Sequence, residues 1–182
     1  WLLDQIDLVV ISPGVPTNTI PARYVKRKDG EVIGEVELAY RFMKGRIVGI
    51  TGSNGKTTTT ALIGELLKNA GITTQVGGNI GTPLLSLTES STDDGWTVAE
   101  LSSFQLETIV DFRPRVAICL NVTPNHLDRY DSFNDYAAAK HRLFLNQTSE
   151  DVAILNADDE ITASWASGLR ANVVMFSVKR EL

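Results

Sequence analysis

Residues Gly49 to Thr60 read GITGSNGKTTTT, and this stretch decides the fold. Arg46 to Ile50 forms a short apolar strand, Thr51 to Lys56 a loop, and Thr57 to Ala70 a helix. Leu62, Ile63, Leu66, Leu67 and Ala70 fall on one stripe of that helix, and Gly71 closes it. A loop that wraps a phosphate needs glycines for close backbone approach, inward N–H groups, and a helix N-terminus behind them. The run Gly52, Ser53, Asn54, Gly55, Lys56, Thr57 and Thr58 meets each need: the glycines turn, Lys56 reaches β- and γ-phosphates, and the Thr57 hydroxyl can ligate Mg²⁺. The spacing is G-x-x-G-K-T. In the commoner G-x-x-x-x-G-K-[ST] the first glycine would fall at Ile50. A glycine turn capped by threonine is the plain alternative. Strand before, helix after and Lys-Thr between favour phosphate.

Outward from that loop, strands and helices alternate. Asp7 to Ile11 is a buried strand stopped by SPGVP, and GEVELAYRF carries Val36, Ala39, Tyr40 and Met43 at helical spacing. QVGGNIGTPLL is dense in glycine and is expected to turn tightly. GWTVAELSSF is a strand ending at Glu100, and RVAICLNV is another, leading through TPNHLDRYDS into a helix from Phe133 to Asn146. DVAILN and ANVVMFSV are further strands around a helix over Ile161 to Gly168. The pattern is that of an α/β fold with a mostly parallel sheet flanked by helices. A domain boundary is expected near Gly45. The chain lacks an initial Met and runs out just after an apolar strand, so both ends read as cut from something longer.

The composition, 43% hydrophobic and 21% charged over 182 residues, is that of globular material, and the net charge of -5 argues against a nucleic-acid footprint. Arg23, Lys26, Arg27 and Lys28 run into Asp29-Gly30 and read as a solvated turn. The single cysteine, Cys119, excludes an internal disulfide and reads as a buried, inert thiol. No run is long enough for a membrane span and no signal peptide opens the chain, so a cytoplasmic setting without membrane partners is expected.

Three further residues invite chemistry. Glu100 ends a strand where ligands bind in open α/β sheets and could hold Mg²⁺; a surface glutamate is an equal reading. His126 follows the next strand, between Asn125 and Asp128, and can ligate metal or orient phosphate, although spacing alone favours a functionless loop histidine. Lys140 shares the stripe of Phe133, Ala137 and Phe144, which puts an ammonium on a core face. It either snorkels to solvent, or is held near neutral or carboxylated to a Mg²⁺-binding carbamate. His141, beside it, is expected to face solvent.

TGSNGKTTTT, GGNIGTPLL, ELSSFQLE, NVTPNHLDRY, YAAAKHRLF and LNADD occur here in order, and together they resemble the Mur ligases of peptidoglycan synthesis. GNIG and ELSSFQLE point within that family to the branch that joins D-glutamate to UDP-N-acetylmuramoyl-L-alanine. The resemblance implies ATP-dependent amide formation through an acyl phosphate, with ATP and a pair of Mg²⁺ ions, acting as a monomer on small molecules. Residues 1–45 would be the tail of a Rossmann-like, UDP-substrate-binding domain, and 46–182 most of the central ATP-binding domain. The domain that brings the amino acid would be missing, so the chain alone is expected not to ligate and to expose apolar surface. The catalytic set would be Lys56, His126 and Lys140. Thr57, Glu100, His126 and a carbamylated Lys140 would serve the metals. Asn79, Ser102 and Gln105 would lie near the muramoyl or phosphate site, and Pro13 and Gly14 near the UDP. Competing readings are a sister or folylpolyglutamate-synthase-like ligase, a phosphotransferase or NTPase, and a non-catalytic nucleotide-binding domain.

Overall fold

The computed structural model describes residues 5–15, 19–27, 29–125, 129–179 and 181. A small parallel sheet pairs β1 (Leu8–Ile11) with β2 (Glu31–Gly34), joined by α1 (Ile20–Arg27). Helix α2 (Glu35–Phe42) leads from it into a second sheet of six parallel strands in the order β4-β5-β3-β6-β7-β8. These are β3 (Arg46–Thr51), β4 (Thr74–Gly78), β5 (Trp96–Glu100), β6 (Val116–Cys119), β7 (Val152–Asn156) and β8 (Asn172–Phe176). Helices α3 (Lys56–Asn69), α4 (Ser103–Leu106), α5 (Phe133–His141) and α6 (Glu160–Trp165) connect these strands, with short 3₁₀ helices at Leu84–Leu87, Arg142–Phe144 and Ala166–Gly168.

Residues alternate across β3 because side chains in a strand point to opposite faces. Val48 and Ile50 pack with Val98 and Ile118 under Ile63 and Leu67 of α3. Ile47 faces the other way, in the larger core with Tyr136, Ala137, Leu143 and Phe144. Gly49 shares that face, where an added Cβ would come within 2.9 Å of the Leu143 side chain.

Several expectations from the sequence need correction. The residues from Arg23 to Arg27 belong to α1, whose Ala22 and Val25 are fully buried; the turn is confined to Asp29 and Gly30, and Lys28 lies outside the described residues. Alternation too short to register hid β2. Glycine density hid β4, an edge strand whose Gly77 sits against the Thr82 carbonyl. The stripe on α3 is displaced: Leu62 and Leu66 are 58% and 60% exposed, while Thr60 and Gly64 are buried. Gly64 lets the helix sit tight on Val76 of β4, which turns the leucines outward.

The arrangement of β3 matters most. Its neighbours β5 and β6 are reached by crossovers on opposite sides, so the loops after all three strands leave from one end of the sheet at its switch point.

Candidate active site

The phosphate loop, residues 52–55, links β3 to α3. Gly55 has φ +83 and occupies the N-cap position, a left-handed conformation that favours glycine. No side chain caps this 14-residue helix, so the N–H groups of its first turn remain available for an anion. Lys56 folds back, its Nζ donating to the Gly52 and Ser53 carbonyls at 2.9 and 3.2 Å. Asn121, after β6, braces the loop from outside: its Oδ1 accepts from Asn54 N at 2.9 Å and its Nδ2 donates to Asn54 O at 3.1 Å. Ser53 Oγ donates to the Thr123 carbonyl at 3.0 Å, accepts from Thr123 N at 2.9 Å, and lies 3.1 Å from the Tyr136 hydroxyl. With its one proton given to Thr123, Ser53 takes the Tyr136 proton.

Glu100 is buried at the end of β5, beside the loop. One carboxylate oxygen accepts from Thr57 Oγ1 at 2.8 Å and the other from Asn79 Nδ2 at 2.9 Å, while Asn79 N donates to the Glu100 carbonyl at 2.8 Å. Gly78 makes this approach possible, since a Cβ there would run into the Glu100 backbone. A hydroxyl and a carboxylate side by side are hard oxygen donors that fit Mg²⁺, an ion commonly held by one or two carboxylates together with phosphate oxygens and water. No group of three or more His, Cys, Asp or Glu gathers among the described residues. Thr57 and Glu100 would therefore hold the ion only together with a bound phosphate.

Lys140 does not snorkel. It is 2% exposed, its Nζ donates to the Gly52 carbonyl at 2.8 Å and lies 4.7 Å from the centre of the Tyr136 ring. Burial, reinforced by the nearby Lys56 charge, lowers its pKa to about 8. The ordinary lysine value of 10.5 applies to the unfolded chain. Below about pH 8 both states are protonated and the fold bears the full cost of the buried charge. Between about pH 8 and 10.5 the folded amine has lost its proton and the unfolded one has not, so this group's contribution to stability rises with pH across that window. Urea unfolding should show wild type gaining about 1–2 kcal/mol on Lys140→Met between pH 7.5 and pH 9.5. A difference independent of pH would place the amine's titration elsewhere.

Ser53, Lys56, Asn79, Ser102, Asn125, Tyr136 and Lys140 line one pocket of about 230 Å³. Ser102 caps α4, with Gln105 closing the capping box, so both of these polar side chains are occupied in positioning the helix. Gln105 opens instead on a narrow cleft shared with Pro13 and Gly14. His126 lies outside the described residues. His141 is half-buried, its ring edge-on to Trp165 at 4.9 Å, and burial lowers its pKa, which corrects the solvent-facing expectation. Cys119 is buried and its thiol is pushed up to about 12, which keeps it inert. Tyr136 and Asn121 were missed in the sequence. The position of Tyr136 one helical turn before Lys140 was the available signal for it. A larger cavity of about 720 Å³, lined by Arg46, Trp96, Arg113, Arg115 and Asp151, opens at the opposite end of the sheet. Its Asp151 is paired with both Arg113 and Arg115, and it lies far from the phosphate loop.

Residues 50–182 match the family model described as Mur ligase middle domain. The chain is 54% identical over 181 residues to the UDP-N-acetylmuramoylalanine--D-glutamate ligase of Solibacter usitatus, covering 100% of this chain and 41% of the relative. It is 52% identical over 179 residues to the ligase of the same name from Pelotomaculum thermopropionicum, covering 98% and 39%. It thus spans about two fifths of the length of these curated relatives. The fold is similar to that of a solved UDP-N-acetylmuramoyl-L-alanyl-D-glutamate--2,6-diaminopimelate ligase, with TM-score 0.65, 22% identity, and 98% of this chain and 48% of that one covered. It is equally similar, with TM-score 0.65 and 20% identity, to the MurF ligase of Thermotoga maritima in complex with ADP, covering 98% and 49%.

Proposed function

The chain belongs to the Mur ligase family, and from that membership we propose that it carries the nucleotide-binding machinery of an ATP-dependent amide ligase that joins D-glutamate to UDP-N-acetylmuramoyl-L-alanine. The observation that supports the chemistry is the convergence of an uncapped helix N-terminus, Lys56 and Lys140 on one pocket. The identity to named D-glutamate ligases supports the substrate.

The electrostatic difficulty of the reaction is that a carboxylate must attack a polyanionic phosphate. Free N–H groups at the start of α3 take phosphate oxygens, and Lys56 leaves its two carbonyl partners to follow the transferring phosphoryl group. Lys140, already inside the pocket, places its amine beside the loop, where carbamylation would turn it into an anionic metal ligand. Thr57 and Glu100 would hold Mg²⁺, which supplies charge neutralisation to the phosphates when bound. His126 and a carbamylated Lys140 would serve the second ion. Tyr136 and Asn121 keep the loop in shape. The acyl phosphate formed is then opened by the amine of D-glutamate, releasing phosphate. Residues 1–45 belong, on this reading, to the domain that binds the UDP end, and the enzyme works as a cytoplasmic monomer. Among the described residues no helix is long and apolar enough to cross a membrane.

The test is phosphate release by the full-length polypeptide that contains this chain, with ATP, Mg²⁺ and UDP-N-acetylmuramoyl-L-alanine, comparing D-glutamate with L-lysine, L-alanine and no amino acid. Release should depend on D-glutamate and disappear in Lys56→Ala. Release indifferent to the amino acid would refute the D-glutamate assignment.

A further inference from the structure

Phe104, on α4, stands between two spaces. It lines the phosphate-loop pocket and also the narrow cleft beneath the turn Ser12–Val15 that follows β1. The Arg129 guanidinium lies 4.7 Å from the centre of the Phe104 ring, and its Nη1 donates to the Gly14 carbonyl at 2.8 Å. Phe104 in turn stacks on Tyr130 at 5.8 Å with the rings 6° from parallel, and Tyr130 meets Tyr136 edge-on at 5.4 Å. Tyr136 reaches Ser53 of the phosphate loop and underlies Lys140. An unbroken series of contacts therefore joins the small sheet's turn to the phosphate loop. The cleft is closed down to about 10 Å³.

We propose that Arg129 is a positioning residue for ligation: it holds the Ser12–Val15 turn at a fixed distance from the phosphate-loop pocket, across Phe104. The inference rests on the ligase reading above, which puts the nucleotide end of a long substrate at the turn and its carboxylate beside Lys56 and Lys140. Such a substrate spans both spaces, so their separation decides whether its two ends fit together. A rigid frame set before binding spares the substrate that ordering cost. Arginine suits the task, because a planar guanidinium stacks on a ring with its face while an in-plane N–H reaches the carbonyl. A lysine ammonium supplies the donor without the flat stack.

Arg129→Ala, Arg129→Lys and Phe104→Leu in the full-length polypeptide test this, read by steady-state kinetics and by hydrogen exchange of the Val15 amide, which is bonded to the Ser12 carbonyl across the turn. In Arg129→Ala the KM for UDP-N-acetylmuramoyl-L-alanine should rise about tenfold, the KM for ATP should stay within about twofold, and exchange at the turn should quicken about tenfold. Phe104→Leu should move the same quantities in the same direction, and Arg129→Lys should recover part of the loss. Unchanged exchange would overturn the clamp. Faster exchange with an unchanged KM for the nucleotide-linked substrate would overturn its role in positioning, as would equal rises in both KM values, which mark a general loosening. If the unmutated polypeptide adds no D-glutamate, the ligase reading fails, and exchange at the turn still decides whether Arg129 is a clamp.

Discussion

Lys140→Met should abolish ligation and leave the fold standing. The two effects separate because the residue does different work in each. Methionine matches the lysine stem in length, fills the same space against Tyr136, and needs no proton or counter-charge. The Gly52 carbonyl loses one donor but keeps another, since Lys56 Nζ also reaches it at 2.9 Å. Removing a buried ammonium relieves desolvation, so stability at pH 7 should be equal to wild type or higher by about 1–2 kcal/mol. Activity has no such substitute. Whether the amine acts as a cation or is carboxylated to a carbamate, methionine can do neither, and kcat/KM should fall by on the order of 10³. The measurement is D-glutamate-dependent phosphate release by the full-length polypeptide, beside a urea unfolding curve. Activity within about tenfold of wild type would remove Lys140 from the reaction. Lost activity with lost stability would make it a structural residue.

The largest effect on stability is expected at Glu37. This carboxylate, on α2, is fully buried and accepts from three consecutive backbone N–H groups, those of Val110, Asp111 and Phe112, at 2.8 to 3.1 Å. Arg41 Nε joins it at 3.4 Å and ties on through its guanidinium to Glu31 of β2. The segment 110–112 precedes β6, so this side chain adds a polar tie between the small sheet's helix and the main sheet to the packing of Val36, Ala39 and Tyr40. Glu37→Ala leaves three N–H groups without the acceptor they share. Phe112 is buried, whereas Val110 and Asp111 are exposed and water can replace part of what they lose, so the variant should cost about 2–4 kcal/mol in unfolding free energy. Glu37→Gln should cost roughly half as much. Its amide oxygen can still accept from Val110 and Phe112, but its NH₂ group then faces Asp111 N–H and Arg41, donor against donor. A loss under about 1 kcal/mol in the alanine variant would show that the segment finds other partners.

Exposed leucines on α3 were an unplanned consequence of the same packing rules. The expected stripe was right in period and wrong in phase, because the helix chose the face that carries Gly64, where backbone can approach β4 most closely. A pattern of apolar residues names the faces a helix could bury. Which one it does bury depends on what lies opposite.

The chain by itself determined the parallel α/β architecture, the strand–loop–helix around Gly52 to Lys56, the buried cysteine, and the anomaly of Lys140. Each of these is local: periodicity, turn chemistry and residue type are written within a few positions of one another. Tertiary structure alone decided that Glu100, Asn79 and Thr57 meet, since they lie on three different segments brought together at the ends of β5, β4 and β3. It also decided the choice at Lys140, because snorkelling requires a route to solvent, and Tyr136 with the Gly52 carbonyl closes that route. Glycines concealed β4 for the same reason that they suit it: strand propensity measures side-chain packing, and there the requirement is close approach of backbone. Arg129, although it falls within NVTPNHLDRY, and Glu37 gave no sign of their partners in the sequence, because each finds one seventy or more residues away, at a distance that only the fold abolishes.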